Sequence, residues 1–178
     1  MYVHAFIHKR LQFFHLTGID LNIFPSSHRI FWLGLEKIHQ LTSTGKWRLK
    51  VRVKWDKNND GSADSRAGTY GESEWDDFKV GSEATNYQLG IGNQLRKNNF
   101  GVRDPFHSDD LNGMQFSTQD RDHDKGGDGY NCASIQHGGW WHRYCFQICL
   151  TCNRPSRTLS DGIKSRIPSE AWMWIKKV

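Results

Sequence analysis

Between Phe116 and Asp124 the chain reads Phe-Ser-Thr-Gln-Asp-Arg-Asp-His-Asp, which sets carboxylates at Asp120, Asp122 and Asp124, on alternate positions. On an irregular loop this spacing lets several oxygens converge on one hard cation. Left without a cation, the same charges repel one another across a short distance. Calcium suits this donor chemistry; a solvated acidic turn is the other reading of the run taken by itself. Beyond the run stand Cys132, then Gly138-Gly139-Trp140-Trp141, then Cys145. All the cysteines of the chain, Cys132, Cys145, Cys149 and Cys152, lie in this stretch.

The elements that must position these residues are partly legible. Trp47, Leu49, Val51, Val53 and Trp55 alternate with Arg48, Lys50, Arg52 and Lys54, so a strand over 47–55 has one apolar and one cationic face. Leu33 to Leu41 carries apolar residues at a short helical spacing, with Trp32 directed to the core. Phe78 to Val80 and Tyr87 to Ile91 are further strand candidates. Phe13, Leu16, Ile19, Leu21, Ile23 and Phe24 alternate loosely before the turn signal at Pro25. Residues 93 to 111 read as an exposed, variable loop.

Composition bounds the function. A chain of 178 residues fits one domain, and its 8 Trp and 10 Phe supply an aromatic-rich core, since each such ring buries on the order of 150–250 Å². The net charge of +5 is scattered, and no nucleic-acid motif accompanies it. No apolar stretch approaches the roughly 20 residues of a membrane span. The segment Asp56-Lys-Asn-Asn-Asp60-Gly61 has the oxygen spacing of a helix–loop–helix calcium site, yet Ala67 stands where that motif needs a carboxylate and a strand precedes it. Ordinary turn chemistry accounts for it. Cys145, Cys149 and Cys152, with His142, form a compact set of soft ligands suited to zinc, although structural zinc sites usually join two separated ligand pairs. No thioredoxin-like pattern surrounds Cys149 and Cys152 to make them a redox pair.

Five segments, in order, resemble the fibrinogen C-terminal, or fibrinogen-like, domain family of fibrinogen chains, ficolins, tachylectins, angiopoietins and tenascins. They are Phe31-Trp-Leu-Gly-Leu-Glu-Lys-Ile-His39, Asp76-Asp-Phe-Lys-Val-Gly-Ser-Glu83, Asn86-Tyr-Gln-Leu-Gly-Ile-Gly92, Asn112-Gly-Met-Gln-Phe-Ser-Thr118 and the acidic loop through Cys145. A weaker echo follows in Asp161-Gly-Ile163 and in Trp174 to Val178, which resembles the start of the family's last strand. The resemblance implies an α+β fold: a twisted antiparallel sheet with short helices and long loops. It divides the chain into an unmatched segment, 1–30, where the family's N-terminal subdomain is missing, and a partial domain, 31–178. Within the latter, 112–146 carries the calcium and ligand-pocket region and 147–178 is a diverged tail.

By the same resemblance, Asp122 and Asp124 bind Ca2+ and Asp120 assists through charge or water. Two backbone carbonyls complete the set. The spacing between Asp124 and Cys132 is two residues longer than the family's, so counting forward gives Gly126 and Asp128, and counting back gives Asp128 and Tyr130. Asp128 is common to both. Affinity in the range of weak extracellular sites, about 10⁻⁴ to 10⁻³ M or tighter, is expected. Cys132 and Cys145 are implied to form a disulfide contributing about 3 kcal/mol, which in turn implies an oxidising, extracellular compartment. A zinc site using Cys145 would sacrifice that bond. Basic residues interrupt Met1 to Phe14, so no signal peptide is recognised there.

In ficolin-like members a pocket beside the calcium loop takes acetyl groups, shaped by a cis peptide before the second cysteine. Tyr144-Cys145 holds that place here, and such a bond costs about 3 kcal/mol without support from the fold. Gln136, His142, Tyr144 and Phe146 are the expected rim. Phe146 replaces the family's usual His, and the segment from Gln147 to Pro155 replaces the rest of the pocket wall. The expected function is binding, not catalysis: a glycan or acetylated ligand, or alternatively a protein receptor or matrix partner. Oligomers would form through segments outside this chain. The departures at both ends also admit a truncated fragment.

Overall fold

The alternation in 47–55 becomes β2 (Trp47–Asn58). Trp47, Leu49, Val51, Val53 and Trp55 are all buried, and the cations between them are only partly so. The structure is a computed structural model that describes residues 2–8, 32–58, 68–98, 100, 104–108, 110–152 and 166–178. β2 lies at the centre of an antiparallel sheet of order β1-β7-β2-β3-β6, with β1 (Tyr2–His8), β3 (Tyr70–Trp75), β6 (Gln94–Asn98) and β7 (Arg166–Lys177). β7 pairs with β1 on one side and β2 on the other, so the segment ending at Trp174 to Val178 is an inner strand and not an appendage. Its Ala171, Met173 and Ile175 join the β2 side chains on the buried face.

β3 gives no apolar signal, because Gly71 and Ser73 stand inward with Trp75 while Glu72 and Glu74 stand outward. The expected exposed loop 93–111 is corrected. β6 pairs with β3, and Phe100, Phe106 and Leu111 are fully buried. Phe106 and Phe100 meet the Trp75 ring edge-on at 4.8 and 5.7 Å, and the Trp75 indole donates to Asp104 at 3.0 Å. Aromatic packing thus outweighs the polar character of the segment.

The expected helix is α1 (Leu35–Thr42), which buries Ile38 and Thr42. It is fastened to the short pair β4 (Lys79–Val80) and β5 (Leu89–Gly90). His39 meets the Val80 carbonyl at 2.9 Å, and the Val80 amide donates to Thr42 at 3.1 Å. A 3-10 turn (Glu83–Thr85), a single-turn helix, α2 (Pro105–Ser108), and α3 (Cys132–Gln136) complete the described elements. Of the expected turn 56–61, residues 56–58 are corrected to the end of β2, paired with β7, and 59–61 lie outside the described residues, as do the expected strand signals at 13–24 and Asp161-Gly-Ile163.

Candidate calcium and ligand site

Two tethers carry the acidic loop. Ser117, fully buried, exchanges both backbone hydrogen bonds with Trp140, at 2.9 and 3.1 Å, and thereby pins the start of the loop to the tryptophan pair. Trp140 and Trp141 are fully buried with rings 5.1 Å apart, and the Trp141 indole donates to the Tyr87 carbonyl. Both are core, as expected. The second tether is the Cys132–Cys145 disulfide, with Cα atoms 4.8 Å apart. Gly138 and Gly139 let the tail and the Phe116 ring come close between the two cysteines: a Cβ on Gly138 would lie 2.6 Å from the Cys152 Cα, and one on Gly139 2.8 Å from the Phe116 ring.

Within the loop Asp124 is the organiser. Its Oδ1 accepts from the Gly126 amide and its Oδ2 from the Cys132 amide, both at 2.7 Å. Asp122 Oδ1 accepts from the Asp124 amide at 3.1 Å. Burial, the largest influence, lifts the Asp124 carboxyl above its ordinary value. The two amides pull it down, and Asp122 pushes it up again. Asp120 is exposed and accepts from the Thr118 hydroxyl at 2.7 Å, which holds its carboxyl below the usual range. Asn131 donates to the Thr118 carbonyl and accepts from the Ser134 amide, capping α3. The Lys125 amide donates to the Arg143 carbonyl at 2.7 Å, joining the loop to the strand of chain that enters Cys145.

This donor set fits a hard cation. Asp122 and Asp124 set two carboxylates on one turn, linked through the Asp124 amide to Asp122 Oδ1, with Asp124 partly withdrawn from water, and each Asp124 oxygen keeps a lone pair beyond its amide bond. A Cβ at Gly126 would meet Asp124 Oδ1 at 2.8 Å and the Tyr130 carbonyl oxygen at 3.3 Å, so only glycine leaves that space open. Gly126 is thus packed between the Asp124 carboxylate and the Tyr130 carbonyl. Asp128 is exposed, between Gly127 and Gly129, both with positive φ.

The family model for the C-terminal globular domain of fibrinogen beta and gamma chains matches residues 20–175. The chain belongs to this family. Human ficolin-3 is 34% identical over 127 residues, which is 71% of this chain and 37% of ficolin-3. Mouse angiopoietin-related protein 2 is 36% identical over 118 residues, 65% of this chain and 20% of that protein. The chain thus spans well under half the length of these relatives. Among solved structures, the fibrinogen-like globe domain of human ANGPTL2 superposes with a TM-score of 0.66 at 24% identity, covering 99% of this chain and 80% of that one. That likeness bears on the fold.

The expected pocket rim of this fibrinogen-like domain divides in two. Gln136 and His142 are corrected: they are 0% and 1% exposed and belong to the interior. Gln136 Oε1 accepts from the Phe146 amide at 2.9 Å, and His142 Nε2 lies 3.1 Å from the Gly138 carbonyl. Burial holds the His142 imidazole below its usual value, against the opposing pull of the Gly138 carbonyl and of Asp124 and Asp122. Tyr144 and Phe146, 47% and 49% exposed, do stand at the surface on either side of Cys145. Tyr130, 60% exposed, stands just before Cys132, an exposed ring the sequence did not mark.

Two further expectations change. The Tyr144–Cys145 peptide is trans, like every described peptide bond. The chain turns instead through Phe146, at φ 67°, while Gln147 Oε1 accepts from the Tyr144 amide. The zinc reading on Cys145, Cys149 and Cys152 fails on chemistry, because Cys149 is bridged to Cys152 as Cys145 is to Cys132, and no free cysteine remains among the described residues. A disulfide sulfur is not the thiolate that zinc requires. Within the diverged tail, Ile148, Leu150 and the second disulfide are buried.

Proposed function

We propose that this domain is an extracellular recognition module in which calcium, held by Asp122 and Asp124 with Asp120 nearby, fixes the surface around Cys132–Cys145. That surface then takes a glycan or another acetylated ligand. The carrying observation is Asp124: a carboxylate lifted by burial and by Asp122, yet clamped between the Gly126 and Cys132 amides. Such a pair is costly unneutralised, and a bound divalent cation supplies the missing charge and cross-links the loop. The Cys132 amide passes that order to the disulfide, and the disulfide passes it to Tyr144 and Phe146. Membership of a family that includes ficolin-3 supports binding over catalysis, and two disulfides support an oxidising compartment.

The test is retention on an N-acetylglucosamine matrix, against the deacetylated matrix, in calcium and in EDTA. Retention that needs both the acetyl group and calcium, and that disappears in Asp122→Asn/Asp124→Asn, is the expected result. Equal behaviour on the two matrices sinks the acetyl-ligand reading. A protein partner is the second reading, favoured by the withdrawal of Gln136 and His142 from the rim, which leaves an aromatic surface of Tyr130, Tyr144 and Phe146. A chain that binds calcium but ignores both matrices supports it.

A further inference from the structure

The outer face of the sheet is a second charged surface, sharing no residue with the acidic loop. Register places Arg48 opposite Lys176, Lys50 opposite Trp174, Arg52 opposite Trp172 and Lys54 opposite Glu170. On the other flank Lys50 faces Glu74, Arg52 faces Glu72, and Glu74 faces Arg96. The carboxylates do not balance these cations. Glu72 is shared by Lys50, at 2.9 Å, and Arg52; Glu74 takes Arg96 at 2.7 Å, and Glu170 takes Lys54 at 3.0 Å. Counting Arg48 and Lys176, the strands present Arg48, Lys50, Arg52, Lys54, Arg96 and Lys176 against Glu72, Glu74 and Glu170 on this face.

The excess is concentrated in one hollow of about 230 Å³, lined by Arg48, Lys50, Arg96 and Lys176 with Leu95 and a single carboxylate, Glu74. Aromatic rings continue the surface along the sheet. Lys50 and Arg52 each lie 5.9 Å from the Trp174 ring, Arg52 lies 5.4 Å from Tyr70, and Tyr70 packs on Trp172 at 6.0 Å. Cations repeated at every second residue of an extended strand form a straight row, rising about 3.4 Å per residue. A row of that kind matches a linear polyanion, and flat rings beside it offer stacking surface to sugar rings.

We propose that this face binds a sulfated polysaccharide, with the Arg48/Lys50/Arg96/Lys176 hollow holding a sulfate group and the Trp172, Trp174 and Tyr70 rings flanking the sugar chain. The oxidising compartment that two disulfides require favours an extracellular polyanion of this class over nucleic acid. The binding is independent of calcium and of the acidic loop, so its failure and that of the calcium reading are separate events.

Heparin serves as the probe, titrated into the intact, oxidised chain in EDTA at several NaCl concentrations. Arg48→Ser/Lys176→Ser removes two outward-facing cations, and Lys79→Ser/Arg121→Ser removes the same charge away from the sheet face. Unchanged near-ultraviolet dichroism certifies the fold of each. The face variant is expected to lose about tenfold in affinity at physiological salt, and its log–log salt slope to flatten by about 2, as each lost contact releases fewer counterions. The control variant and Asp122→Asn/Asp124→Asn keep the parent's affinity. Equal losses in face and control variants, equal binding of desulfated heparin, or tighter binding of duplex DNA would each overturn the assignment.

Discussion

Asp124 and Asp122 differ in what they do before any metal arrives. Asp124 accepts two amide hydrogen bonds and so holds the loop's shape, whereas Asp122 accepts one and adds like charge. In EDTA, Asp124→Ala is expected to destabilise the chain by about 2–4 kcal/mol, because hydrogen bonds to a charged acceptor contribute about 1.5–3 kcal/mol each and a partly exposed site recovers some of that from water. Asp122→Ala should stay within about 1 kcal/mol of the parent; urea unfolding of both variants decides. The raised Asp124 carboxyl also sets a pH dependence. A folded-state value above the ordinary one means that the metal-free fold retains the proton longer than the unfolded chain, so its stability declines as pH rises through that window. Calcium needs the ionised pair, so its affinity is full above the raised value and lost as pH falls through it. Calcium titrations from neutral pH down to about pH 4 should show this loss together with proton uptake by the released site.

The disulfides are elements in their own right. Cys132 and Cys145 are 13 positions apart, Cys149 and Cys152 only 3. In the chain-entropy model the first bridge contributes about 3 kcal/mol and the second about 2 kcal/mol. Replacing the first pair with serine should also weaken calcium binding, since Cys132's amide holds Asp124, and replacing the second should leave calcium affinity within about twofold. Denaturant midpoints and calorimetry on the two double variants test both statements. β2 was legible because its alternation reports burial directly, and α1 was displaced from its expected span by one or two residues. β3 and β6 were not legible. Gly71 and Ser73 face inward without an apolar signal, and the alternation of Glu72 and Glu74 against the cations of β2 is the pattern that could have revealed the pairing.

At the scale of the molecule, the acidic loop could be read from the chain because carboxylate spacing is local chemistry, and the family resemblance supplied its setting. The fate of Gln136 and His142 could not, because a polar side chain placed in the interior looks the same in sequence as one at a rim. The second disulfide joins residues only 3 apart, so its pairing was locally available; what the sequence does not reveal is that the tail carrying it packs against Gly138. What results is a domain with two separate charged surfaces, an anionic loop joined to an aromatic rim and a cationic sheet face, held by one aromatic core. Calcium binding by this loop is the central proposal. The measurement that tests it most directly is calorimetric titration of calcium into the oxidised chain beside Asp122→Asn/Asp124→Asn, with thermal unfolding in parallel. One saturable site in the parent and none in the variant is the expected result, with a gain of about 2.7 kcal/mol at a hundredfold excess over Kd. For a chain of this size that corresponds to a rise in Tm of roughly 5–10 °C. A cooperatively folded parent that takes up no calcium, or a variant that binds as the parent does, would contradict it.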